Sequence, residues 1–244
     1  MRQLPLCLLL VFALPVLAEP MTVYAYQLDY RLEASGEGDY QRLLSVLQQQ
    51  GLAFSLSVLP VRRAVRALDT EIQGCIFPAS INATITSLPH IAQSGLIASA
   101  AIDRISLRVF TRTDSPVIRH LSELENKHVA LWDGLNTDAL LGDVAITIEP
   151  TTTEGIRVRM LQAQRLDAIV GFMPDVLMAS EALDLPLPHY HVELALFEDE
   201  GASFVCIDTP VNRAWIEQAN HLLQNLKDTG QLRQILSKHA NIIE

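Results

Sequence analysis

The stretch FSLSVLPVRRAVRAL, Phe54 to Leu68, sets the architecture of the chain. Its first half, Phe54 to Leu59, reads as a short strand that runs straight into Pro60. After the proline, Val61, Ala64, Val65 and Leu68 recur at helical spacing, while Arg62, Arg63 and Arg66 take the other faces. A proline fits the first turn of a helix, where its missing N–H costs nothing. Working outward, Thr22 to Tyr26 reads as an earlier strand. Asp39 to Gln50 reads as a helix with Leu43, Val46 and Leu47 on one face, and Cys75 to Pro78 as a third strand. Strand, helix, strand, helix, strand is the pattern of a parallel sheet covered by helices.

A polar, small-residue stretch from Ala79 to Ser87 follows, then a strand at Ile105 to Thr111. The alternation resumes with strands at His128 to Leu131, Ala145 to Ile148 and Ala168 to Val170, separated by helices at Thr137 to Leu141 and Thr153 to Gln164. Ala202 to Ile207 is again strand-like. It leads to a helix whose Trp215, Ala219, Leu222, Leu223 and Leu226 share an apolar face, and Gln231 to Lys238 reads as a closing helix. Two α/β units thus lie in tandem.

The N-terminus carries an export pattern. Met1-Arg2 supplies a positive charge, Leu8 to Leu14 an apolar run, and Val16-Leu17-Ala18 a small-residue cleavage site, so residues 1–18 are expected to be a signal peptide and the mature chain to work in the periplasm. The run is too short to span a bilayer, which needs about 20 apolar residues. Cys7 precedes the run, so a lipid-anchored cysteine at the mature end is not expected. The formal net charge is −10 over 244 residues, and loss of Arg2 makes it more negative. Such a surface repels phosphate backbones and anionic lipid heads, which argues against nucleic-acid and membrane-surface roles. Hydrophobic residues make up 49%, with 11 glycines and 12 prolines, a globular composition without repeats or low-complexity runs. Of the three cysteines, Cys75 and Cys206 lie beyond the export signal. An oxidising compartment permits them to pair, and two buried thiols packing as small apolar groups is the competing reading.

Four segments carry a family resemblance: LPVRRA at Leu59 to Ala64, LSELENKHVALWDGLN at Leu121 to Asn136, LQAQRLDAIVG at Leu161 to Gly171, and the run from Asn220 to His239 with Gly230 and Lys238 in place. In order and spacing they resemble the extracellular solute-binding proteins of family 3, which serve amino-acid uptake. The resemblance covers essentially the whole mature chain. It implies an α/β, two-lobed periplasmic binding protein type II fold, each lobe a mostly parallel sheet flanked by helices, with two crossovers. Lobe one would comprise 19–112 and 202–244, and lobe two 113–201. Cys75 and Cys206 would then share lobe one, which favours their pairing.

The sequence departs from that family where amino acids are recognised. The family's Thr-x-x-Arg motif, whose planar guanidinium fork grips a ligand carboxylate, corresponds to Ile85-Thr86-Ser87-Leu88-Pro89-His90, which holds no arginine. The family's acid for the ligand amino group would fall near Phe172, and the nearest carboxylate is Asp175. A standard α-amino acid is therefore in doubt as the ligand, and another small polar molecule or a sensor role comes into view.

In this fold, ligands lie between the lobes at the carboxyl ends of strands, where helix N-termini offer free amides. Asp133, Gly134, Asn136 and Thr137 join a lobe-two strand to a helix, and Thr152 precedes the next helix. Their bland alternative is helix capping. Ser80, Asn82 and Thr84 follow the third strand of lobe one. Tyr26 and Tyr30, at and after the end of the first strand, would supply flat walls, with core packing and surface exposure as alternatives. Arg63 is the preferred anion anchor, with Arg62 its equal rival and a solvated arginine face the alternative. Asp175 completes the candidate set.

No Gly-x-Ser-x-Gly, Walker A, dinucleotide glycine pattern or His-Glu-x-x-His occurs. His189-Tyr190-His191 places two imidazoles on one side of a strand but lacks a third ligand, and an exposed loop is the preferred reading. No cofactor or metal is expected. The chain is read as a non-enzymatic, monomeric binding protein for a small-molecule solute, working with an inner-membrane transporter or a sensor. Two alternatives stand beside it: a partner-signalling domain, and a dehydratase-like enzyme using Asp133 or Asp175.

Overall fold

The computed structural model describes residues 21–243 apart from 94, 134 and 136, so the expected signal peptide and the candidates Gly134 and Asn136 lie outside the described residues. In chain order the elements begin β1 (Met21–Tyr26), α1 (Asp39–Gln49), β2 (Phe54–Leu59), α2 (Val61–Thr70), β3 (Gly74–Ala79), α3 (Ile81–Ser87) and β4 (Leu96–Ala98). There follow β5 (Asp103–Thr111), β6 (His128–Trp132), α4 (Thr137–Leu141), β7 (Thr147–Thr151), α5 (Glu154–Gln162), β8 (Ala168–Met173), α6 (Asp175–Ala182) and β9 (His189–Gly201). The chain ends with β10 (Ser203–Ile207), α7 (Pro210–Asp228), α8 (Gln231–Ile235) and β11 (Asn241–Ile242).

Two sheets form two lobes. The first has the order β2-β1-β3-β10-β4, with β1 parallel to both β2 and β3 and β10 antiparallel to its neighbours. The second runs β11-β5-β8-β6-β7, with β9 also on β5. Because β5 pairs with β8 and β9, the first crossing between lobes falls before Asp103, not at residue 112 as the sequence division had it. The return crossing falls at Gly201–Ser203. There the two crossing strands bond each other, Ala202 N–H to the Asp103 carbonyl at 2.8 Å and Ile102 N–H to the Ala202 carbonyl at 2.8 Å. A Cβ on Gly201 would lie 2.2 Å from that of Ala101, so the crossing needs glycine.

Burial explains the elements. In lobe one, Val23 and Ala25 of β1, Leu43 and Leu47 of α1, and Leu223 of α7 enclose an aromatic stack in which Phe77 lies 4.6 Å from Phe204, itself 5.2 Å from Trp215. In lobe two, Leu107, Val109, Val129 and Val170 form one buried cluster, and Phe110, Ala130, Ile169 and Val158 another. Strands covered on both faces are what helix-flanked parallel sheets require. Each fully buried Leu or Phe contributes about 1.5–3 kcal/mol. Cys75 and Cys206, paired in register across β3 and β10, form a disulfide. Three further differences from the sequence reading stand out. Ile81–Ser87 is a helix, Asp175–Ala182 is an additional helix, and His189–Gly201 is a 13-residue strand, not a loop. Among the described residues no helix is long and apolar enough to cross a membrane.

Candidate functional site

Most of the candidate residues lie at or just beyond the carboxyl ends of the strands. In lobe one, β1 ends at Tyr26, β2 runs through Pro60 into α2, and β3 runs through Ser80 into α3. The Ser80 hydroxyl caps α3, accepting from Ala83 N–H at 3.1 Å. In lobe two, β6 ends at Trp132, β7 leads through Thr152 and the capping Thr153 into α5, and β8 ends at Met173.

The candidates fall into distinct environments along these ends. Tyr26 packs partly against the cluster of Ile76, Ala79 and Val205, and burial pushes its phenol well above the ordinary range. Tyr30, at φ 64°, reaches across to pack on the Val158, Val176 and Ala179 cluster of lobe two. Burial, and then the Asp29 carboxylate, raise its phenol, while Arg159 opposes them. Thr84 is buried and donates its hydroxyl to the Ser80 carbonyl at 2.7 Å, an internal helix bond. Asn82, Arg63 and Thr152 are exposed, and Thr137 is half-buried at the start of α4. Arg62 and Asp133 meet across the lobes at 3.8 Å, their side chains 80% and 60% exposed. A pair that wet is worth well under about 1 kcal/mol.

The lobes are joined more firmly around Asp175, by partners the sequence did not single out. Asp29, in the loop after β1, places Oδ2 3.4 Å from the Gly155 N–H at the start of α5, a favourable position for an anion. The next residue but one, Arg31, is 1% exposed and lies in a cluster of three carboxylates. Its Nε bonds Asp39 at 3.2 Å, its Nη2 bonds Asp103 at 2.7 Å, and its Nη1 bonds Asp175 of lobe two at 3.3 Å. The guanidinium also stacks 3.7 Å from the Tyr40 ring centre, and the Tyr40 hydroxyl donates to Asp103 at 2.5 Å. Gly38, at φ 114°, lets the chain fold over Arg31, where a Cβ would meet the Arg31 carbonyl oxygen at 2.1 Å. At the far end of α6, Glu181 takes Lys238 at 2.7 Å and His239 at 3.0 Å.

Asp175, which the sequence offers as a cleft acid, is therefore a buried partner of Arg31 at the first turn of α6. Burial pushes its carboxyl up to about 7. Arg31 opposes that shift, while Glu154, Asp39 and Asp103 add to it. Glu154 is itself held by Arg157 at 2.7 Å. Nothing local in the sequence marks Arg31 as buried, because its partners are spread from Asp39 to Asp175.

A pocket of about 290 Å³ opens beside the crossing strands, bordered by Arg104, Ser106, Arg108, Tyr190 and His239. It is lined from β5, β9, the C-terminal segment and the Met173–Pro174 end of β8, and Ser80, Asp133 and Thr152 do not line it. Nearby, His189 Nε2 and His191 Nδ1 are buried without a hydrogen-bond partner, and among the described residues no group of three or more His, Cys, Asp or Glu is placed to hold a metal.

No protein-family model matches the sequence, and no curated protein matches it. Solved structures do share its fold. The GluR0 ligand-binding core from Nostoc punctiforme, in complex with L-glutamate, is 18% identical and superposes with a TM-score of 0.68 over 88% of this chain and 97% of that one. An arginine 3rd transport system periplasmic binding protein from Legionella pneumophila is 13% identical, with a TM-score of 0.62 over 90% and 98%. A histidine kinase sensor domain with similarity to periplasmic binding proteins is 16% identical, with a TM-score of 0.64 over 91% and 98%. The chain therefore has the two-lobed fold of type II periplasmic binding proteins.

Proposed function

We propose that the chain is a solute-binding protein that closes on a small polar, anionic or amino-acid-like ligand in the periplasm, for transport or sensing, and that it is not an enzyme. The observation that carries this reading is that strand ends and helix starts of the two lobes meet above two crossing strands, Arg62 lying 3.8 Å from Asp133 and Asp29 Oδ2 3.4 Å from the Gly155 N–H. A gap opened along this seam would bury a small ligand with polar groups from each side, and a hinge at the crossings lets it open and close. The ligands bound by similar structures, L-glutamate among them, support the small polar class. The stretch Ile85 to His90, which holds no arginine where the family grips a carboxylate, and Phe172, near where the family's acid would fall, argue for a ligand held differently.

Delivery to an inner-membrane transporter and signalling to a sensor partner both fit this reading, since transport and sensor proteins appear among the similar structures. Dehydratase-like chemistry finds less support. Asp133 is exposed and faces Arg62, while the Asp175 carboxyl is occupied by Arg31. A thermal-shift screen of amino acids, small carboxylates and amines tests the proposal. At a hundred times its dissociation constant a true ligand adds about 2.7 kcal/mol and raises the melting temperature by about 5 °C or more. No shift with any polar metabolite would overturn it.

A further inference from the structure

The Arg31 cluster joins the lobes with an unbalanced set of charges. One guanidinium faces Asp39, Asp103 and Asp175, all within 3.3 Å and nearly sealed from water. Resting on the reading of a protein that closes on a solute, we propose that Asp175 is a proton-operated latch between the lobes, so that closure takes up one proton and is favoured as the pH falls.

The geometry selects Asp175 as the proton's place. Asp39 accepts from Arg31 and also from the Tyr40 N–H at 2.8 Å and the Ser237 N–H at 3.0 Å. Asp103 has the shortest Arg31 bond, 2.7 Å, and the Tyr40 hydroxyl. Asp175 has one bond to Arg31, at 3.3 Å, and it faces lobe two's Glu154 as well as the other two carboxylates. A carboxylate buried against like charges takes up a proton. The neutral carboxyl keeps the latch, because its carbonyl oxygen still accepts from Arg31 Nη1. Ionised, the same group is a charge buried among carboxylates, and opening the lobes to water relieves it.

The groups packed around Asp175 are Arg31 from the loop after β1, Asp39 and Tyr40 from α1, Asp103 from β5, and Glu154 from α5 with its partner Arg157. On its own helix, Glu181 meets Lys238 and His239, a second titratable contact between chain segments that must be tested separately. The raised Asp175 carboxyl, at about 7, agrees with the geometry. Closure should strengthen about tenfold per pH unit from about 7 down toward the ordinary aspartate value near 3.9.

Small-angle X-ray scattering of the solute-free protein from pH 5 to 9 reads the latch, with Asp175→Asn and His239→Gln beside the wild type. The wild-type radius of gyration should be constant above about pH 7 and shrink as the pH falls to 5. Asp175→Asn should stay compact throughout, and His239→Gln should follow the wild type. A wild-type radius independent of pH, an unchanged transition in Asp175→Asn, or loss of the transition in His239→Gln would overturn the proposal. Should Asp175→Asn fail to fold, carbon-13 NMR of the wild-type aspartates replaces it. An Asp175 carboxyl titrating well above 3.9 supports the latch, and one titrating at the ordinary value overturns it. Neither measurement uses a solute, so the latch can fail while ligand binding stands, and the reverse.

Discussion

The guanidinium of Arg31 and the carboxylate of Asp175 stand 3.3 Å apart although 144 residues separate them in the chain, with side chains 1% and 8% exposed. The contact ties the loop after β1 to the first turn of α6, and so ties one lobe to the other. Removing one partner of a buried ion pair leaves an uncompensated charge, at about 3–5 kcal/mol. Here Arg31→Met leaves three carboxylates without their cation. Urea denaturation should show a loss in that range, and a loss below about 1 kcal/mol would contradict the assigned role.

Stability should depend on pH through Asp175. Its folded carboxyl, at about 7, lies above the unfolded value near 3.9, so between those values the folded chain holds more protons than the unfolded one. Stability from this group is therefore greatest at the acid end and falls as the pH rises from about 4 to about 7, with no further change above. Melting temperatures across that window should decline in the wild type, and the decline should flatten in Asp175→Asn. A wild-type curve that rises instead would contradict the assignment.

The disulfide closes a loop of 131 residues between adjacent strands of lobe one. Constraining a loop of that length in the unfolded chain stabilises by about 4–5 kcal/mol. The Cys75→Ser, Cys206→Ser double variant should lose about 2–5 kcal/mol in denaturant titration, and an unchanged midpoint would be the contrary result.

At the crossing, Gly201→Ala sets a methyl 2.2 Å from the Ala101 Cβ and forces the paired strands apart. Overpacking of this kind costs about 1–3 kcal/mol. Ala101→Gly in the same chain removes the clash. Calorimetry should find the double variant regaining most of the loss, and no regain would mean that the contact is not the reason for the glycine.

Much of the fold was legible because the strands of both lobes carry local signals. Phe54 to Leu59 running into Pro60 gave β2 and α2 with little ambiguity, and the apolar face of Trp215, Ala219 and Leu223 gave α7. β9 was not legible. His189 to Gly201 mixes imidazoles, aliphatics and acids, and its strand form depends on pairing with β5, some eighty residues earlier in the chain. The lobe boundary failed for the same reason, since only the pairing of β5 shows which sheet it serves. At the site, sequence found the strand ends and the threonines that start α5, whose residue type announces capping, but it missed that Ser80 caps a helix because Ile81 to Ser87 carries no apolar periodicity. It could not find Arg31. An arginine between Tyr30 and Leu32 reads as surface until Asp39, Asp103 and Asp175 are brought around it.

On the proposed function, the two lobes close on a small polar guest. Hydrogen–deuterium exchange with and without a millimolar mixture of amino acids, small carboxylates and amines tests it most directly. Amide exchange should slow at both walls together, around Ser80 to Thr84 in lobe one and around Trp132 and Thr151 to Thr153 in lobe two. Unchanged exchange at both walls, or slowing confined to a single lobe, would contradict it.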